Sequence, residues 1–125
     1  MKKLITISLI ANILILIPVC GGLVMQSERM LAVFGESTPA RGILLSIYGS
    51  ILLSSVFLLK HRSPRQVAVL LLVQVLYKIT TPITVGTLAN PVVICNLIIA
   101  ALHICTLRAV FNAVGNPLKE SDSLR

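Results

Sequence analysis

The sequence predicts an all-α polytopic membrane protein, a four-transmembrane-helix antiparallel bundle. Three observations carry that expectation: apolar runs of membrane length, a cap-and-proline device that opens three of them, and positive charges gathered at alternate ends. The hydrocarbon layer of a bilayer takes about 20 helical residues to cross. Spans are therefore expected at about 4–25, 39–59, 64–88 and 91–111. A backbone in lipid must satisfy its own polar groups, so these segments are helices and not strands. Residues 1–114 are expected to form one transmembrane domain and 115–125 a cytoplasmic tail.

Composition agrees. Apolar residues make up 56% of the chain and charged residues 12%, against about a quarter in soluble domains. A net charge of +7 would suit a nucleic-acid binder, but the eleven Lys and Arg mostly flank apolar runs. There is no basic stripe interleaved with aromatics, so nucleic acid is not an expected partner.

The first run, Leu4 to Met25, follows Met1-Lys2-Lys3 and imitates a secretory signal. No small-residue cleavage site follows it, and Cys20 lacks the small preceding residue of a lipoprotein signal. It is read as a retained first span. Ser27 is placed to cap a short helix ended by Gly35, with Met30, Leu31, Val33 and Phe34 as an apolar side lying on the outer membrane surface. An ordered loop is the other reading of that segment.

Thr38-Pro39, Ser63-Pro64 and Asn90-Pro91 each set a capping side chain before a proline at the first helical position. Ser63 also has Gln66 three residues on, a capping box. Gly115-Asn116-Pro117 ends the last helix. Within the second span Gly42, Ser46, Ser50 and Ser54 recur every four residues. Small residues at that spacing let helices approach closely in lipid, so this face is expected to be a packing seam.

The loop Lys60-His61-Arg62-Ser63-Pro64-Arg65 carries three fixed positive charges, whereas residues 26–41 balance Glu28 and Glu36 against Arg29 and Arg41. The positive-inside rule then places Lys2, Lys3, the Lys60–Arg65 loop and both termini in the cytoplasm.

Chemistry concentrates in the last two spans. Gln74, Lys78 and Pro82 share one helical face, with Tyr77 and Thr81 beside them, and Asn96 and His103 share a face of the fourth span. Pro82 withholds a hydrogen bond from the carbonyl of Lys78 and should bend the helix there. With an outer end near Leu88, Lys78 lies about 15 Å deep, at the level of Ser50 and close to that of Asn12 and His103. Polar groups of all four spans are thus expected to meet near midplane.

The four acids, Glu28, Glu36, Glu120 and Asp122, all lie outside the apolar runs, so Lys78 has no carboxylate at its depth. A charged side chain inside a membrane marks a functional site by default. Three outcomes are open: a neutral amine bonded to Gln74, His103 or Asn96, an amine that snorkels outward, or a counter-charge from a ligand or partner. Gln74, Tyr77, Lys78, Thr81, Asn96 and His103 form the candidate ligand-binding set. His103 lacks a second axial histidine for haem and a carboxylate for a proton path. Cys20, Cys95 and Cys105 lack metal-ligand or redox spacing. No nucleophile–base set is present. Neither an enzyme nor a cofactor is expected.

Leu16-Ile17-Pro18-Val19 closing the first span, Glu28-Arg29-Met30-Leu31-Ala32-Val33-Phe34-Gly35 after it, and Arg41-Gly42 opening the second resemble small bacterial four-helix membrane proteins of the DoxX-like kind. The likeness implies four spans and a bacterial plasma membrane, and it transfers no catalytic residue. The expected role is a non-enzymatic subunit or helper in a membrane complex, as a homo-oligomer or with a membrane partner. The alternative is a binder or carrier of a small anionic or amphiphilic molecule (lipid, quinone or anion) around Lys78.

Overall fold

A computed structural model describes residues 1–61 and 63–116. Among them are five helices and no strand: α1 (Lys2–Met25), α2 (Glu28–Phe34), α3 (Pro39–His61), α4 (Pro64–Val85) and α5 (Pro91–Val114). All but α2 are long and apolar enough to cross a membrane. The chain is a multi-pass helical membrane bundle. Arg62, Pro117 and the tail beyond it, with Glu120 and Asp122, lie outside the described residues.

The prolines at 39, 64 and 91 open α3, α4 and α5 as the sequence predicts. Thr38 Oγ1 accepts from the Arg41 N–H at 3.3 Å, and Asn90 Oδ1 from the Val92 N–H at 2.9 Å. Ser63 differs. Its hydroxyl makes no capping bond, and its backbone carbonyl alone closes the first turn by accepting from Val67. The capping box with Gln66 is not formed.

A second correction concerns the C-terminal end of α4. Gly86 adopts a left-handed conformation (φ 84°) and its N–H bonds the Pro82 carbonyl, ending the helix at Val85 instead of near Leu88. Glycine alone adopts this conformation without steric cost, which makes it a natural stop. Lys78 is then seven residues from the helix end, about 10 Å by the helical rise, and lies about one turn past the middle of α4.

The helices pack as two pairs. α1 lies along α3 and α4 along α5; α1 against α5 joins the pairs, while α3 and α4 touch only slightly. Near the basic end Ile5 and Leu9 of α1 meet Leu58, Val67, Leu71 and Val110 in one buried cluster. Toward the other end Leu16 and Leu23 pack with Tyr48 and Ile51. Leu14, Leu53, Phe57 and Ile98 point outward, the surface that lipid covers.

The small-residue face of α3 is also turned outward. Gly42, Ser46, Ser50 and Ser54 are exposed, and the buried face of that helix is Arg41, Tyr48, Ile51, Ser55 and Leu58. The seam therefore does not pack within the bundle. Four-residue spacing defines a face without saying which neighbour it meets.

The segment after α1 is a helix, capped by Ser27 Oγ on the Met30 N–H at 3.3 Å and ended by Gly35. Its apolar side does not lie flat on the membrane surface. Met30 and Phe34 turn inward onto the cluster around Leu16 and Tyr48, and the Phe34 ring meets Tyr48 edge-on at 6.1 Å. Three polar contacts hold it there: Ser27 N–H to the Gly22 carbonyl, Arg41 Nη1 to the Gly35 carbonyl, and Asn90 Nδ2 to the Val33 carbonyl at 3.1 Å. Helix α2 is a cover on the end of the bundle opposite the basic one.

Asn90 both caps α5 and ties down α2, so its replacement should be felt twice. Asn90→Ala is expected to lower stability in mild detergent by about 1–2 kcal/mol. Asn90→Asp, which keeps the capping oxygen but not the amide donor, should lose roughly half of that. Thermal unfolding followed by helical circular dichroism measures both; an Asn90→Asp variant as stable as wild type would mean the tie to Val33 contributes nothing.

Candidate functional site

Beneath α2 lies a cavity of about 270 Å³. Ile15, Leu16 and Val19 of α1 and Pro91, Val92 and Ile99 of α5 give it mainly apolar walls. Met30, Val33 and Phe34 close it from above, with Arg29 at the rim. Its polar surface comes from four helices: the amides of Asn12 and Asn96, the phenols of Tyr48 and Tyr77, and the Lys78 amine.

Lys78 is 6% exposed. Its amine donates to the Tyr77 hydroxyl at 2.8 Å and lies 4.6 Å from the centre of that ring. The expected bonds to Gln74, His103 or Asn96 are not made. Neighbours in a helix diverge by about 100°, but two long side chains can bend back over the gap between their faces. The phenol oxygen and ring face offset part of the amine's lost hydration without neutralising it. Neither Glu28 nor Glu36 is hydrogen-bonded or ion-paired to it.

Thr81 and Asn96 lie one step outward. The Asn96 Nδ2 approaches Thr81 Oγ1 at 3.4 Å, and Thr81 donates to the Tyr77 carbonyl at 2.7 Å. Thr80 also donates to that carbonyl at 3.0 Å, so the turn before Pro82 is held by hydroxyls. The Thr81–Asn96 contact fixes the antiparallel register of α4 and α5. Two turns further in on each helix, Gln74 comes level with His103.

His103 belongs to a different network from Lys78. Its Nε2 meets Asn12 Oδ1 at 3.0 Å, and Asn12 Nδ2 donates to Ser55 Oγ at 3.2 Å. Ser55 donates in turn to the Ile51 carbonyl at 2.8 Å. An amide oxygen only accepts, so the contact requires the proton on Nε2 and leaves Nδ1 as an acceptor. One turn inward, Ser8 and Thr106 share a hydrogen bond of 2.7 Å. Gln74 is fully buried and, among the described residues, neither of its amide atoms has a partner; nor does His103 Nδ1.

The structure thus divides the six sequence-selected residues into two levels. Tyr77, Lys78 and Asn96 meet at the cavity wall with Thr81 beside them, while Gln74 and His103 lie deeper, out of its reach. Ser55 contributes the α3 hydroxyl in place of Ser50, which faces outward and bonds the Ser46 carbonyl. The sequence reading missed Tyr48, a solitary phenol in an apolar span, and undervalued Asn12, the one amide in the first span. The three cysteines are free thiols, and Cys95 lines the cavity. Comparison with protein-family models, curated proteins and solved structures gives no match to this chain.

The Asn12–His103 pair joins the two halves of the bundle and is testable as a pair. Asn12→Leu and His103→Leu are each expected to cost about 1–3 kcal/mol, because each leaves the other's polar group buried alone. The double variant should cost less than the sum by roughly 0.6–1.7 kcal/mol, the range for hydrogen bonds between membrane helices. Strict additivity in reversible unfolding from mixed micelles would show the two groups to be uncoupled.

Proposed function

We propose that this chain is a non-enzymatic integral membrane protein that binds a small amphiphile, its anionic head at Lys78 and its apolar body beneath α2. The observation that carries the reading is a buried amine on an apolar cavity, with phenols and amides around it and, among the described residues, no carboxylate in its lining. Ligand sites are mostly apolar with a few convergent polar groups, and this lining fits that description. An anion would supply the missing charge, accept from Lys78 and Tyr77, and be oriented by the Asn12 and Asn96 amides.

Size narrows the ligand class. A volume of about 270 Å³ lies at the small end of ligand pockets, too little to enclose a two-chained lipid. A single short-chain carboxylate or the ring of a small quinone-like compound is the better match. A bacterial plasma membrane with both ends cytoplasmic is the proposed setting. It is supported by Lys2, Lys3, Lys60, Arg65 and Arg108 at one end of the bundle, against Glu28, Arg29, Glu36 and Arg41 at the other.

A second reading, a helper subunit in a membrane complex, is favoured by the outward face of Gly42, Ser46, Ser50 and Ser54. Small residues left on the lipid surface suit close approach by another helix. In that case the companion should remain bound through purification in mild detergent, and Ser50→Leu should release it.

The ligand reading is tested on the purified protein with decanoate, decanol and a short-chain benzoquinone. Decanoate is expected to raise the melting temperature and decanol, lacking the charge, to raise it far less. Lys78→Met should weaken decanoate binding roughly tenfold or more. Equal decanoate-induced shifts in wild type and Lys78→Met would refute the anionic-head assignment.

A further inference from the structure

Arg41 sits in the first turn of α3 and is 6% exposed, an unusual degree of burial for a guanidinium. One of its donors, Nη1, bonds the Gly35 carbonyl at 2.7 Å. A carbonyl is neutral, and no ion pair joins Arg41 to Glu28 or Glu36 among the described residues. Arginine has five N–H donors and no means of giving up its charge. A buried cation left with a single neutral partner calls for an anion.

The side chain lines a second cavity, separate from the one at Lys78 and also of about 270 Å³. Ser37, Thr38 and Gln26 supply its polar side, and Leu23, Val24 and Leu45 its apolar side. The polar side lies at the helix ends, where headgroups reside, and the apolar side runs toward the bilayer. From the guanidinium, the flanking hydroxyls and the adjoining apolar strip, we infer that Arg41 holds the phosphate of one outer-leaflet glycerophospholipid. The hydroxyls of Ser37 and Thr38 assist, and Leu23, Val24 and Leu45 support the start of an acyl chain. The planar guanidinium fork matches a phosphodiester in geometry as well as in charge. Because Arg41 also holds the Gly35 carbonyl, the same side chain links the lipid to the end of α2.

Native mass spectrometry of the full chain from mild detergent tests this. The probes are dioleoylphosphatidylglycerol, dioleoylglycerol (the same tails without phosphate) and inorganic phosphate. Wild type should retain one phospholipid more than Arg41→Gln, with affinity at that site weaker in the variant by roughly tenfold or more. Dioleoylglycerol should not be retained there, and inorganic phosphate should not displace the lipid. Displacement by phosphate would mean a free-anion site and overturn the lipid assignment. Equal retention of dioleoylglycerol and phospholipid by wild type would overturn the phosphate contact without recourse to any variant. Should Arg41→Gln fail to fold, Ser37→Ala with Gln26→Ala must still weaken retention, and unchanged retention there counts against the site. Melting with decanoate reports separately on the Lys78 cavity, so failure of one site is distinguishable from failure of the other.

Discussion

The hydrogen bond between Asn12 and His103 is the constraint on which this bundle turns. Lipid offers no hydrophobic drive to bring helices together, because the solvent is as apolar as the side chains. Association must come from close packing and from polar groups that lack a better partner. The tight pairs are α1 with α3 and α4 with α5, and the pairs meet through α1 and α5. Asn12 sits at that junction, bonded to His103 on one side and Ser55 on the other, with Ser8 and Thr106 reinforcing it one turn away. Each of those groups would be costly alone in hydrocarbon. Together they set the depth and rotation of α1 against both pairs.

The same arrangement leaves the half of the molecule nearer α2 open. Below, hydrogen bonds and apolar packing close the bundle; above, α3 and α4 scarcely meet, and the space among α1, α4 and α5 is covered by α2 instead of filled. The polar groups there differ in character from those below. Asn12 bonds Ser55 and His103, and Thr106 bonds Ser8 and the Leu4 carbonyl, whereas Lys78 reaches the Tyr77 hydroxyl at the wall of a cavity. One level joins the helix pairs through hydrogen bonds, and the next borders a cavity.

Much of this was legible in the sequence because proline leaves little choice. A capping residue followed by proline at the first helical position marks a start, and three starts were placed correctly on that ground. The end of α4 was misplaced because apolar character runs on through Leu88, while the backbone stops at Gly86, the residue able to turn left-handed. Those three residues bring Lys78 closer to the Gly86 end of α4 than the sequence implied. The partner of Lys78 was missed for another reason: helical faces exclude adjacent residues at the backbone, not at the tips of long side chains. The stripe from Gly42 to Ser54 was recognisable as a face, but periodicity cannot say whether a face meets its own bundle or lipid. Arg41 looked like part of a balanced outer charge set. Its burial, with a bond to the Gly35 carbonyl six residues earlier, is not visible in a balance of charges.

The partners Asn12 and His103 stand 91 positions apart in the chain. A polypeptide inserted from its amino end therefore places the Asn12 amide in the bilayer long before its mate on α5 has been synthesised. Ser55 can receive the amide's N–H once α3 is in place, but the carbonyl oxygen must wait for the final helix. The polar junction of this bundle is thus complete only with its last helix. A nascent chain arrested before α5 emerges should linger with the insertion machinery, its first three crossings threaded but not locked.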